Sequence, residues 1–154
     1  VALYTVIVND EYSANKKDGE NLKTAWVILV TPEFRKAYPI DVKDLEKTIF
    51  DFRRTLTSPY YDPKPLAQEL YKKIFLQTSE KQKTTLAADL DEYLKDKPNK
   101  NLMWSLDGIL RYVPMAALHD GNQYLVEKYQ NTVFNTASKA RLKDEAQPNW
   151  TVLG

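Results

Sequence analysis

Two hydrophobic periods alternate along the chain, and where one gives way to the other the elements change type. Val1 to Val8 is apolar and rich in Val, Ile and Tyr, the composition of a strand. Leu22 to Thr31 is a second such run. Ala25, Val27 and Leu29 fall on one face, and Trp26, Ile28 and Val30 on the other. Apolar residues on both faces predict a strand covered on both sides, as in α/β sheets. Between the two runs, Glu11 to Asn21 is polar and carries Lys16, Lys17, Asp18 and Gly19, so the pair predicts a hairpin. Phe34 to Pro39 holds a third short strand.

The period then lengthens. Val42, Leu45, Ile49, Phe52 and Leu56 recur at helical spacing. Asp41 stands where a cap for the free amides of the first turn is needed, with Asp44 three residues on. Ile40 and Leu45 are placed as a hydrophobic staple. After a loop from Thr57 to Tyr61, Asp62-Pro63 starts a second helix, because Pro is pre-set for the first helical position. Its stripe is Leu66, Leu70, Ile74 and Phe75. Gln77 to Thr85 is a polar linker. Leu86, Leu90, Tyr93 and Leu94 mark a third helix, stopped before Pro98.

Leu102 to Leu106 returns to a strand. Gln123 to Lys128 and Thr132 to Phe134 predict short strands or extended segments. Ser138 is placed to cap a short helix through Leu142, and Val152-Leu153 begin a further strand. The order is strands, helices, strands, so the class is α/β or α+β. There is no internal repeat. A length of 154 residues predicts a single domain or part-domain. The chain opens directly in a strand at Val1 and stops in one at Gly154, which predicts a piece truncated from something longer.

Composition mainly excludes. With 22 basic against 21 acidic residues the net charge is +1, which makes no case for nucleic acid or an anionic membrane. The basic pairs Lys16-Lys17, Arg53-Arg54 and Lys72-Lys73 are interspersed with acids and read as solvated surface. No apolar run nears the roughly 18 residues of a membrane span, and there is no signal-peptide pattern. The absence of cysteine rules out a disulfide framework and thiol catalysis within the chain. It points to a reducing, cytoplasmic setting. The sequon Asn149-Trp150-Thr151 reads as chance.

Few residues can carry chemistry. Glycine occurs only at 19, 108, 121 and 154, so neither a phosphate loop nor a dinucleotide fingerprint can be built. One histidine and no cysteine leave no zinc motif. A serine triad would need His119 as its base, but His119 lies in His-Asp-Gly with no nucleophile motif beside it, and reads as a surface or turn histidine. Asp89 and Asp91 are two apart on a helix and do not share a face. Asp41 and Asp44 are helix N-terminal charges. Asp107-Gly108 and Asp120-Gly121 are turn chemistry, since glycine tolerates positive φ. Three Trp and ten Tyr are interleaved with the apolar runs, and core packing is their default role. Pro114 and the two Asp-Gly turns are expected to fix the path from Leu102 to Leu125, packing Leu110, Met115 and Leu118 beneath the sheet. No catalytic, cofactor-binding or metal-binding residue is assigned.

The run from Leu102 to Leu118 resembles the CHAT domain family. In that family a hydrophobic strand leads to Asp-Gly-x-Leu and then x-Pro-Phe-x-Ala-Leu. Asp107, Gly108, Leu110, Pro114, Ala117 and Leu118 fill the matching places, with Met115 where Phe is usual. Tyr124-Leu125, Tyr129, Val133, Phe134 and Ser138 match the run that follows. The upstream match, two strands and a helix like Asp41 to Leu56, is mostly pattern. The resemblance implies the N-terminal portion of a caspase-like α/β/α sandwich: a hairpin, about three helices, then further strands. It also implies a bacterial cysteine peptidase linked to tetratricopeptide repeats. The Cys–His dyad of active members lies C-terminal to the matched region, its histidine in a His-Gly motif. His119 is followed by Asp120 and does not match it. The implied role is a non-catalytic part bracing the absent half. The alternative is a degenerate protein-interaction module without enzymatic activity. The implied partners are the remainder of the domain beyond Gly154 and tetratricopeptide repeats or another protein.

Overall fold

The computed structural model describes residues 1–9, 23–78 and 83–135. The expected turn at Glu11 to Asn21, the cap at Ser138, the sequon and the strand at Val152 lie outside them. Three strands come first: β1 (Ala2–Asn9), β2 (Lys23–Val30) and β3 (Arg35–Ile40). Three helices follow: α1 (Leu45–Leu56), α2 (Lys64–Phe75) and α3 (Leu86–Leu94). Then come β4 (Asn101–Ser105), two 3-10 turns at Gly108–Tyr112 and Met115–Ala117, a short α4 (Leu125–Lys128) and β5 (Gln130–Val133). The five strands form one mixed sheet in the order β3-β2-β1-β4-β5. The β1–β2 and β2–β3 pairs are antiparallel, whereas β1–β4 and β4–β5 are parallel. The class is α/β, as the alternation of periods predicts.

Alternation along each strand decides the layers. Leu3 lies opposite Leu29 and Trp104, Val27 opposite Tyr38, and Ala25 opposite Ile40. These side chains therefore share one face. They are buried in one cluster with Ile49 and Phe52 of α1, Leu70, Ile74 and Phe75 of α2, and Leu86, Leu90 and Leu94 of α3. The three helices thus cover one face of the sheet. The other face carries Tyr4, Trp26, Ile28, Val30 and Met103, all half-buried, and the exposed Val6 and Val8. The expectation that β2 is covered on both sides holds only in part. Among the described residues no helix packs against this second face.

The entry to α1 differs from its sequence reading. Asp41 is not the cap. Its carboxylate accepts the amide of Lys43 (3.0 Å) and the Nζ of Lys73 (2.9 Å), while Lys73 also donates to the Lys43 carbonyl. Asp44 takes the cap position in a left-handed conformation (φ 53°) with no side-chain cap bond. The buried lysine on α2 pulls the Asp41 carboxylate away from the helix amides. Val42 and Leu56 also leave the stripe and are exposed: Val42 precedes α1 and Leu56 is its last residue. Gln123 to Lys128, expected to be extended, closes into α4, where the Tyr124 amide donates to Glu127 Oε2.

Asp89 and Asp91 do point apart. Asp89 accepts from Lys36 (2.8 Å) and from the buried Tyr38 hydroxyl, tying α3 to β3. Asp91 accepts from Lys128 and from the Tyr129 hydroxyl, tying α3 to α4 and the start of β5.

Candidate functional site at the carboxyl ends of the parallel strands

In open α/β sheets the loops leaving the carboxyl ends of parallel strands are where chemistry gathers. The register of β1 with β4 stops at Tyr4 opposite Ser105, and Asp107 continues the join by side chain. Its amide donates to Thr5 Oγ1 (2.7 Å), and its Oδ2 accepts the amide of Ile7 (3.3 Å). The Thr5 hydroxyl in turn reaches the Ser105 carbonyl at 3.5 Å. Gly108 then turns with φ +51°, where an added Cβ would sit 2.8 Å from Ile7 Cδ1. Asp107-Gly108 is thus turn chemistry with a second role, a clamp holding the chain against β1 beyond the last paired residue.

The 3-10 turn that follows brings Arg111 back over the strand ends. Its Nε donates to the Leu106 carbonyl (3.1 Å), and one terminal nitrogen lies 3.7 Å from Asp107 Oδ1. Between Arg111 and the ends of β4 and β5 lies a crevice of about 350 Å³, bounded by Ser105, Leu106, Val133, Phe134 and Asn135. No signal in the sequence singled out Arg111. One arginine between Leu110 and Tyr112 reads as surface until the turn places it at the strand ends.

His119 is in a turn, but it is buried rather than on the surface, with 3% exposure. Its Nδ1 accepts the amide of Gly121 (2.9 Å), Gln68 Nε2 lies 3.4 Å from the same nitrogen, and Tyr124 meets the ring edge-on. With Nδ1 used as an acceptor, the neutral ring keeps its proton on Nε2. Its described polar partners are an amide and a glutamine, so no hydroxyl or carboxylate is set for relay. Asp120 beside it is a turn former, accepting the amides of Asn122 (2.8 Å) and Gln123 (2.9 Å). Among the described residues no three metal-ligating side chains converge. No helix among them is long and apolar enough to cross a membrane.

The model of the CHAT domain matches residues 65–152, more than half of the chain. The chain belongs to the CHAT domain family. No curated protein matches the sequence. The residues that carry the CHAT resemblance have structural work to do here. Leu110, Met115 and Leu118 are buried in the core, at 0%, 2% and 0% exposure, as expected from their place around Pro114. Gly108 and Gly121 both have positive φ. Asp107 clamps two strands. In this CHAT domain the signature anchors the segment that follows β4 in the core and against β1.

Three carboxylates of the domain titrate low. Burial pushes Asp89 up, but its bonds from Lys36, Tyr38 and Thr84 outweigh burial and hold it below the ordinary 3.8. Asp120 behaves alike: burial is outweighed by the amides of Gln123 and Asn122 and by the charge of Lys128. At Asp41, burial is outweighed by Lys73 and the Lys43 amide. A carboxyl with a depressed native value binds its proton more weakly than in the unfolded chain. Its stabilisation is complete above the unfolded value and is lost as pH falls through the native one. Urea midpoints are therefore expected to hold level above about pH 5 and to fall below about pH 4. Asp89→Asn is expected to lower the plateau and flatten the acid limb. An unchanged acid limb in that variant would remove Asp89 from the account.

Proposed function

We propose that this CHAT domain chain is the non-catalytic N-terminal part of a caspase-like cysteine peptidase domain, bracing a Cys/His catalytic half beyond Gly154. One observation carries the reading: the chain has the family's signature and not one cysteine. Peptide cleavage by such an enzyme requires a thiolate nucleophile and a base to activate it. The single histidine has its acceptor nitrogen engaged by the Gly121 amide inside a turn. What the chain does supply is rigidity at the strand ends, through the Asp107 clamp and the buried Leu110, Met115 and Leu118. In this reading tetratricopeptide repeats or another protein would sense the activating partner, in a bacterial setting.

The second reading is a CHAT-type interaction module that binds a protein and catalyses nothing. The second face of the sheet, with Val6 and Val8 exposed and no helix packed on it among the described residues, favours it. The gene separates the two. The peptidase reading expects codons after Gly154 for a strand, a His-Gly motif and a later cysteine. A stop codon directly after Gly154 would sink it and leave the interaction module.

A further inference from the structure

We propose that the crevice at the carboxyl ends of β4 and β5 binds the side-chain carboxylate of an acidic residue in a peptide, with Arg111 as the recognising group. This stands apart from the peptidase reading, since binding needs neither a cysteine nor a histidine.

Three observations carry it. The first is placement, because the crevice of about 350 Å³ opens where two parallel strands end together, the position at which open α/β sheets bind ligands. The second is the state of the guanidinium. Its Nε–H is used by the Leu106 carbonyl (3.1 Å), which sets the plane of the group. Among the described residues the terminal nitrogens have one carboxylate near them, Asp107 Oδ1, and it stands at 3.7 Å. That is well outside the roughly 2.7–2.9 Å of a charge-assisted hydrogen bond. Asp107 is held back because its other oxygen accepts the Ile7 amide. The side chain of Arg111 is 68% exposed, so the fork is oriented yet open to an incoming anion. A planar carboxylate can take both terminal nitrogens at once, which Asp107 cannot do from its clamp.

The third observation is the wall. Leu106, Val133 and Phe134 give the crevice an apolar side, with Ser105 and Asn135 as its polar members. Phe134 is fixed by its edge-to-face contact with Tyr4, whereas Val133 is 60% exposed. Arg111 supplies the one positive charge among these lining residues. An acidic residue next to an aliphatic one fits this surface, with the carboxylate on Arg111 and the neighbour against Val133 and Phe134.

The test uses the 154-residue chain and four probes: N-acetyl-Leu-Asp-amide, N-acetyl-Leu-Asn-amide, N-acetyl-Leu-Leu with a free carboxyl end, and inorganic phosphate. Binding is followed by nitrogen-15 NMR, including the Arg111 Nε–H resonance. The aspartyl peptide is expected to bind about tenfold or more tighter than its asparaginyl twin, as a charged hydrogen-bonded pair provides, and to shift the Arg111 resonance. Arg111→Gln should erase the difference. Arg111→Lys should retain only part of it, because a point charge lacks the fork. Both variants should keep the parent circular dichroism, since the side chain is mostly exposed. Equal affinity for the two amides, or a preference that survives Arg111→Gln, overturns the proposal. Tighter binding of the free carboxyl end or of phosphate overturns the side-chain assignment.

Discussion

Trp104→Ala is expected to lower stability by about 3–5 kcal/mol, the range for deleting a buried aromatic. Trp104 has 0% exposure and lies on β4 in the middle of the core. Its ring meets Phe75 of α2 edge-on at 5.8 Å, so the substitution opens a cavity between sheet and helix. It also removes a bond that reaches further. The indole Nε1–H donates to Asn131 Oδ1 (3.0 Å), while the Asn131 amide donates to the Tyr129 carbonyl (3.0 Å) and toward Leu125 (3.3 Å). One side chain therefore holds β4, β5 and α4 in mutual position. Trp104→Phe should cost distinctly less, since most of the volume stays and only the Asn131 partner is lost. Urea denaturation of the two variants measures both values. Equal costs would show that the hydrogen bond, rather than the packing, dominates at this site.

The second large effect is Leu118→Ala, expected at about 2–5 kcal/mol. Leu118 is fully buried and ends the second 3-10 turn, where its amide donates to the Met115 carbonyl (3.2 Å) and its carbonyl accepts from Leu125 (2.8 Å). Its backbone links the turn to the first residue of α4. Its side chain packs with Leu110, Met115 and Leu125 in the core. The spread in the expected cost reflects how far those neighbours can close over the space. A cost under about 0.5 kcal/mol would mean that Leu118 is not the anchor its burial indicates.

Much of this arrangement is legible in the chain because the relevant signals are local. The strands at Val1 to Val8 and at Leu102 to Leu106, the Pro-initiated second helix and the positive φ of Gly108 and Gly121 follow from side-chain shape and period. The buried Leu110, Met115 and Leu118 follow from their place around Pro114. The departures come where distant segments compete for one group or where local bonds override what composition suggests. Asp41 carries the right chemistry for a cap, but Lys73, 32 positions away, recruits its carboxylate. Gln123 to Lys128 has the composition of an extended run, yet Glu127 turns back on the Tyr124 amide and Leu125 donates to Leu118, and the segment coils. His119 has the polarity of a surface residue, but the turn around Asp120 folds it under Tyr124.

The candidate site follows the same division. Asp107 and Gly108 are recognisable as a turn, because glycine relieves a backbone conformation that other residues resist. That Asp107 also bridges two strands 100 positions apart in sequence cannot be read from a period. Nor can the placing of Arg111 at the mouth of the crevice.

The sequence by itself determined the α/β class, the membership signalled by the Leu102 to Leu118 run, and the lack of any thiol for peptidase chemistry. These rest on periodicity, turn stereochemistry and residue identity, which act within a few residues or by mere presence. Only the tertiary structure decided that the helices take one face of the sheet, that His119 is buried and amide-bonded, and that an oriented arginine stands at the strand ends. Each of those depends on which distant groups meet, and that is set by packing the whole sheet against its helices.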